Sequence, residues 1–324
     1  MSEILEIRDL LLGDILLYEG TGPLSRKIIK YDKSDYSHSA IYIGGNEVIE
    51  AITGGVQIRT LKKSYGRHHS KITVLRLKNR PDDMLPVIDV AKAYEENGNG
   101  FAQTQIIMLG LIMITHKHKL NEASALFIDN ILQNAAVELF NFTKKNKEPF
   151  ICSELVYRSY TEAATAIDDR FSIDITENST APLSENANNS IISKVYNVEL
   201  ESFNSNNFTS PIIEKQNIIT SEFDKQLDED AEHKLEILDN QITTDGDEIN
   251  SETANGIKKS MDQFLSALYF GKKKDSEFIA PENANDILDS YLRDKANFVS
   301  PGDLFRSSSF DKLGDLDMTD ILNG

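Results

Sequence analysis

The chain has 324 residues, of which 34 are Lys or Arg and 52 are Asp or Glu, so its formal net charge is −18. Because such a charge repels a phosphate backbone, it argues against a nucleic-acid partner. The single cysteine, Cys152, rules out an intrachain disulfide framework and suits a reducing compartment. Residues 1–160 carry 20 basic and 19 acidic side chains, whereas residues 161–324 carry 14 and 33, so the two halves are expected to differ in kind.

The sequence lacks the usual signatures of export, cofactor binding and metal binding. Residues 1–9 are acidic where a secretory signal is basic and then apolar, so we expect a cytoplasmic protein, with signal-independent export as the alternative. There is no glycine-rich phosphate loop and no convincing spacing of metal ligands. We therefore expect neither a cofactor nor a metal ion.

Residues 37–43 and 47–51 predict a β-hairpin around a turn at 44–46, with a histidine on one strand and a carboxylate on the other. A three-residue loop places Glu50 on the same face as His38, one diagonal step away, whereas a two-residue turn places it on the opposite face. A charged residue in so apolar a strand is rarely buried without a partner. The pattern therefore favours a His38–Glu50 pair.

The other histidines have structural interpretations. His68 and His69 lie in a polar connection and are expected to be solvated. His116 and His118 flank lysines after an apolar stretch, which is typical of a cationic helix end. His233 belongs to an acidic, polar tract.

A long apolar element covers residues 101–142 and contains the uncharged run 105–115. This run is too short to span a bilayer, so we predict a buried helix and no transmembrane segment. The alternative is that the run lines an acyl-chain groove or makes peripheral contact with a membrane.

Residues 149–160 predict a helix that begins close to the thiol of Cys152. Apolar residues recur three and four positions after Cys152, so the thiol lies on the inward face. The N-terminus of a helix favours the thiolate, which is the nucleophilic form, although a buried free cysteine can also serve as a small apolar residue. A nucleophilic thiolate needs a base and a third group that orients the base. His38 and Glu50 are the candidates for these two groups.

The second half of the chain divides by composition. Residues 179–256 are acidic and polar with few aromatics, and are predicted to be a mostly disordered insertion. Helical patterns at 257–270 and 283–292 carry apolar stripes that need a packing partner. We therefore expect a catalytic core at 1–178 and a C-terminal region, 257–324, that packs back on that core.

Several segments together resemble the circularly permuted papain-like hydrolases, the YaeF/YiiX-like branch of the NlpC/p60 superfamily, which is related to lecithin:retinol acyltransferase-like proteins. They are Gly13–Leu17, Ser37–Gly44, Val48–Ala51 with Gly55 and Val56, Phe150–Val156, and the closing segment Phe298–Leu304. In unpermuted relatives the cysteine helix precedes the histidine strand, and here that order is reversed. The resemblance covers residues 9–178 and 285–312. It implies an α+β fold in which an antiparallel sheet packs on the cysteine-bearing helix, here with a long acidic flexible insertion.

The resemblance also implies roles for individual residues. Cys152 would be the nucleophile, His38 the general base and acid, and Glu50 the residue that orients His38. The backbone N–H of Cys152 would help to hold the oxyanion. Tyr36 is a candidate side-chain donor for the oxyanion, because its phenol is close to His38 in sequence.

The predicted function is that of a cysteine hydrolase of the amidase or peptidase kind, which cleaves an amide or ester through an acyl-thioester intermediate. Its substrate would be a peptide-like amide or an acyl lipid. One alternative is a lipid acyl-ester hydrolase or an acyltransferase that uses the same site. The other is a non-enzymatic binding module whose acidic insertion engages a protein partner.

Overall fold

The computed structural model describes residues 4–52, 55–66, 69–98, 100–101, 149–164, 169–175 and 299–319, with isolated positions inside 125–136 and 252–264 and at 296 and 322. The isolated positions inside 125–136 and 252–264 are helical. Some predictions concern residues outside this description: the apolar run 105–115, the insertion 179–256 apart from positions 252, 253, 255 and 256, which are helical, the helix 283–292, and His68, His116, His118 and His233.

The strands form a large mixed sheet and a small one. They are β1 (Ile4–Leu5), β2 (Ile15–Gly20), β3 (His38–Gly44), β4 (Glu47–Ile52), β5 (Gly55–Thr60), β6 (His69–Leu77), β7 (Gly100–Phe101), β8 (Pro149–Phe150) and β9 (Phe310–Leu316). The large sheet has the order β1-β9-β6-β2-β3-β4-β5, and its neighbours are antiparallel except for β1 and β9, which run parallel. Strands β7 and β8 pair in parallel.

Besides the helical positions inside 125–136 and 252–264, the described part of the chain contains a short 3-10 helix, Ile7–Asp9, and five α-helices with defined bounds. The α-helices are α1 (Pro23–Asp32), α2 (Leu61–Tyr65), α3 (Leu85–Glu96), α4 (Cys152–Ala163) and α5 (Pro301–Arg306). Helix α4 carries the cysteine and contacts β3 and β4. The predicted α+β class is therefore confirmed. In the described residues, no helix has both the length and the apolar character needed to cross a membrane.

The β3–β4 hairpin has the register that a three-residue loop predicts. Ile41 pairs with Ile49 and Tyr42 with Val48, before a bulge at Gly44. Gly44, Gly45 and Asn46 all have positive φ, the region of the backbone map that glycine and asparagine tolerate best. This register places Glu50 on the same face as His38.

Apolar side chains cover both faces of the large sheet. One face packs on α3 and α4 through a cluster that includes Ile15, Leu17, Ile41, Ile49, Leu155, Val156 and Tyr160. The opposite face carries a second cluster, which includes Leu16, Tyr18, Ala40, Val48, Leu61 and Val74. The sheet is therefore a central layer, and its fully buried strands give the site a rigid base.

The closing segment contacts the cysteine helix. Ser153, the residue after Cys152, donates a hydrogen bond from its hydroxyl to the carbonyl of Val299 (2.6 Å). Strand β9 then pairs with β6 inside the large sheet. Residues from the end of the chain thus support the helix that presents the thiol.

The chain divides into two compact units. One comprises residues 1–102, 147–180 and 295–324, and contains the sheets and the five helices named above. The other comprises residues 103–146 and 181–294, and there the Ser260 hydroxyl donates to Asp129. The core expected at residues 1–178 also included 103–146, which this division groups with the second unit.

Candidate active site

Cys152 is the first residue of α4 and is nearly buried, with 5% of its surface exposed. Ile151 caps the helix with extended backbone angles, and the N–H of Leu155 returns to its carbonyl (3.0 Å). The first N–H groups of a helix have no partner within it, and the helix dipole is positive there. The thiol therefore lies where negative charge is stabilised.

His38 opens β3 and lies between a carboxylate and the thiol. Its Nε2 is 2.7 Å from Oε2 of Glu50, and the Cys152 thiol is close enough to raise the pKa of the ring. The ring also packs against the ring of Tyr18, with centroids 5.2 Å apart. The structure thus brings together the three residues that the sequence selected.

Glu50 lies on β4 and is 1% exposed, so its charge depends on protein partners. Besides His38, it accepts hydrogen bonds from the Ser64 hydroxyl at Oε2 (2.8 Å) and from Arg59 Nη1 at Oε1 (3.1 Å). These donors compensate for the loss of water around the carboxylate. A satisfied, ionised Glu50 can therefore orient His38 and stabilise its positive charge.

Burial, charge and hydrogen bonding set the protonation of the three groups. Burial lowers the pKa of His38, but the negative charges of Cys152 and Glu50 outweigh burial and raise this pKa to about 10. Burial raises the pKa of Cys152, yet His38 and the backbone of Ser39 bring it below the usual value. The pKa of Glu50 is also lowered, because His38, Ser64 and Arg59 together outweigh burial. The arrangement favours a thiolate–imidazolium pair at neutral pH.

Ser39 is a neighbour of the thiol that the sequence analysis did not identify. It follows His38 on β3 and is fully buried. Its backbone N–H acts to lower the pKa of Cys152, whereas its buried hydroxyl makes no hydrogen bond of ordinary geometry within the described part of the chain. The motif offered a signal, because the residue after a strand histidine points to the opposite face, here toward α4.

His69 differs from the expectation of a solvated loop residue. It begins β6 and is partly buried, and its ring lies 5.0 Å from that of Tyr18 and 6.0 Å from that of His38. Its Nδ1 donates to the carbonyl of Tyr65 (2.6 Å), since a carbonyl can only accept. The sheet order explains the difference, because β2 lies between β3 and β6 and brings two distant histidines near the same tyrosine.

Tyr36, the candidate side-chain donor for the oxyanion, is placed differently from that expectation. Its hydroxyl donates to Oγ1 of Thr73 (3.0 Å), and Thr73 donates in turn to Asp315 (2.7 Å). Its ring packs against Phe305, with centroids 4.9 Å apart. The phenol hydrogen is thus already engaged, and Tyr36 contributes to the core on the α4 face.

Among the described residues, no three His, Cys, Asp or Glu side chains are arranged to hold a metal ion. The polar groups around Glu50 are instead engaged with one another, as donors and acceptors of the bonds described above.

Comparison with known proteins gives a family match, one curated relative and one solved structure with a partial likeness. Residues 9–103 match the family described as permuted papain-like amidase enzyme, YaeF/YiiX, C92 family. The probable lipoprotein peptidase YaeF of Escherichia coli strain K12 is 30% identical over 158 residues, which cover 48% of this chain and 57% of that protein. The chain thus spans little more than half the length of this curated relative.

The crystal structure of the metalloprotein YiiX from Escherichia coli O157:H7 is 18% identical, with a TM-score of 0.29, and the likeness covers 47% of this chain and 65% of that chain.

The family match includes His38 and Glu50 and ends before Cys152. The resemblance drawn from the motifs is confirmed: over residues 9–103, the chain matches the permuted papain-like amidase family named after YaeF and YiiX.

Proposed function

We propose that the protein is a cysteine-dependent hydrolase that cleaves an amide or ester bond through an acyl-thioester intermediate. The observation that carries the proposal is the cluster of Glu50, His38 and Cys152, in which Glu50 holds Nε2 of His38 and the nearby thiol raises the pKa of the ring. In this cluster Cys152 is the nucleophile, His38 the general acid and base, and Glu50 the orienting residue.

The first half of the reaction forms the thioester. The thiolate sulfur attacks the carbonyl carbon, and the C=O electron pair moves to the oxygen, where the N–H of Cys152 at the start of α4 stabilises the negative charge. When the carbonyl re-forms, the bond to the leaving nitrogen or oxygen breaks. His38 gives its Nδ1 proton to that leaving atom. The acyl group remains on the sulfur, and His38 is neutral.

The second half consumes one water molecule. Neutral His38 removes a proton from the water, whose oxygen attacks the thioester carbon, and the C–S bond breaks. The products are a carboxylic acid and the regenerated thiolate–imidazolium pair. If another nucleophile replaces water at this step, the same residues perform acyl transfer, and the product identifies which of the two occurs.

The family description supports an amide substrate, since the matching family is one of amidases. The relative YaeF is called a probable lipoprotein peptidase, and a peptidase cleaves a peptide amide. We therefore propose a peptide-like amide as the preferred substrate class. Acyl esters of lipids are the second class to be assayed.

A cysteine-directed, acyl-mimetic activity probe tests the proposal. The chain has a single cysteine, so one added mass in the intact protein identifies the labelled residue. We expect rapid labelling that is abolished in Cys152→Ala and strongly slowed in His38→Gln, with both variants folded. The absence of labelling in the folded wild-type protein would contradict the proposed function.

A further inference from the structure

The carboxylate of Glu50 is held by more groups than the orientation of His38 requires. One oxygen, Oε2, faces both His38 (2.7 Å) and Ser64 (2.8 Å), and the other, Oε1, faces Arg59 (3.1 Å). Neither Arg59 nor Ser64 meets the reacting thiol in the mechanism above. The two residues nevertheless come from different elements, β5 and α2, and converge on the same buried group.

Arg59 links β5 to the end of α2. In addition to the bond with Glu50, its Nη2 donates to the carbonyl of Lys63 (2.8 Å). Gln57 pairs with Glu50 across the β4–β5 ladder, so Arg59 is the diagonal neighbour on the same face. The planar guanidinium is thus fixed at two points, which limits the directions from which Glu50 can accept its bond.

Ser64 fixes the other oxygen through a short hydrogen-bonded chain. Its hydroxyl lies 2.8 Å from Glu50 Oε2 and 2.8 Å from the phenol oxygen of Tyr18. A carboxylate only accepts, so the single Ser64 hydrogen goes to Glu50 and the Tyr18 hydroxyl donates to Ser64. Tyr18 and Ser64 are both buried, so this chain excludes water from Oε2.

The formal charges of the catalytic groups Cys152, His38 and Glu50 are balanced only when Arg59 is included. The Cys152 thiolate, the His38 imidazolium, the Glu50 carboxylate and the Arg59 guanidinium sum to zero. Glu50 is 1% exposed and the Arg59 side chain 29% exposed, so bulk water screens this balance only in part. Without Arg59 the other three groups would carry a net negative charge. Protonation of Glu50 or of the thiolate would neutralise that charge.

We infer that Arg59 and Ser64 are positioning residues of the catalytic site, and that they keep the Glu50 carboxylate charged and turned toward His38. This inference rests on the proposed function. The other titratable groups near His38 and Glu50 are Tyr18 from β2 and His69 from β6. The rings of Tyr18 and His69 contact the ring of His38 and also each other. Arg59 and Ser64 differ from these two in bonding directly to Glu50.

The single cysteine allows a test without substrate. The rate at which iodoacetamide alkylates Cys152 is measured by intact mass as a function of pH, because only the thiolate reacts. In Arg59→Gln we expect the midpoint of this profile to rise by about 0.5–1 pH unit, as Glu50 loses a positive neighbour and supports the imidazolium less. Ser64→Ala should raise the midpoint by a smaller amount, and Arg59→Lys should retain most of the wild-type value.

Two controls separate positioning from other roles. Lys62→Gln removes the same charge from an exposed site on α2 and should leave the midpoint unchanged. In a Glu50→Gln background, Arg59→Gln should add no further shift, since the group through which it acts has lost its charge. A shift that persists in this background would assign Arg59 a separate role, such as binding the substrate, and would overturn the inference.

Thermal unfolding of each variant shows whether it folds, and Ser64→Ala carries the test if Arg59→Gln does not fold. Unchanged midpoints in both folded Arg59→Gln and folded Ser64→Ala would overturn the inference. If Arg59→Gln is unfolded, an unchanged midpoint in folded Ser64→Ala would by itself overturn the inference. A wild-type thiol without thiolate character at neutral pH would instead contradict the proposed function.

Discussion

Glu50 and Asp32 are two buried carboxylates with similar surroundings and different consequences. Each is 1% exposed, and each accepts hydrogen bonds from serine and from arginine. The partners of Asp32 are the hydroxyls of Ser34 and Ser300, the N–H of Gly302 and the guanidinium of Arg306. Those of Glu50 include the imidazole of His38, which also meets a thiol.

The difference between the two lies in the partner that can change its charge. Hydroxyl, amide and guanidinium groups keep the same protonation across neutral pH, so Asp32 joins α1 to α5 as a permanent link. Glu50 faces a group that gives up and recovers a proton in the proposed reaction. Burial and full hydrogen bonding are therefore common to a structural and a catalytic carboxylate. What distinguishes Glu50 is a partner, His38, that changes its protonation state.

The largest expected effect on stability comes from Asp32→Ala. This change leaves Arg306, Ser300 and the N–H of Gly302 without their buried acceptor. We expect the free energy of unfolding to fall by on the order of 3 kcal/mol, measured by denaturant titration. Asp32→Asn should cost less, because its amide oxygen can still accept. If Asp32→Ala were as stable as the wild type, the closing segment would not depend on this link.

Glu50→Gln should show the opposite behaviour, with a large loss of turnover and a small change in stability. The amide can still contact His38 but stabilises the imidazolium less, so we expect kcat to fall by about 100-fold, less than for Cys152→Ala. The measurement is turnover of a peptide-like amide, with thermal unfolding as the control for folding. Unchanged turnover would mean that another group orients His38.

Gly302→Ala should have a smaller effect, confined to the Asp32 link. A Cβ added at Gly302 would clash with Oδ2 of Asp32, whose carboxylate Ser300 and Arg306 hold in place. We expect a loss of about 1–2 kcal/mol in the free energy of unfolding. In an Asp32→Ala background the same change should cost much less, because the clashing carboxylate is gone. An equal cost in both backgrounds would place the strain elsewhere.

Local sequence signals predicted the hairpin and the cysteine helix. The turn residues Gly44 to Asn46 determine the register that places Glu50 beside His38, and both positions are close in the chain. Cys152 was identifiable from the apolar spacing of its own helix. Such features depend on a few neighbouring residues, so a single sequence contains them.

Arg59, Ser64, Ser39 and His69 could not be assigned in the same way. Arg59 and Ser64 reach Glu50 only because β5 and α2 fold back beside β4, and His69 requires the β6–β2–β3 order. Tyr36 was chosen for its nearness to His38 in sequence. A bend at Ser37 lies between them, and Tyr36 packs in the cluster on the α4 face. Nearness along the chain was informative within one hairpin and misleading across that bend.

The central claim is that His38 keeps Cys152 as a thiolate, and the pH dependence of alkylation in His38→Gln tests it most directly. A group whose folded pKa is raised, as for His38 at about 10, stays charged until the pH passes that value, so wild-type Cys152 should react rapidly at neutral pH. In folded His38→Gln the burial that raises the pKa of Cys152 is no longer offset by a positive neighbour. Its alkylation should then become fast only at alkaline pH. Superimposable profiles for the two proteins would contradict the account.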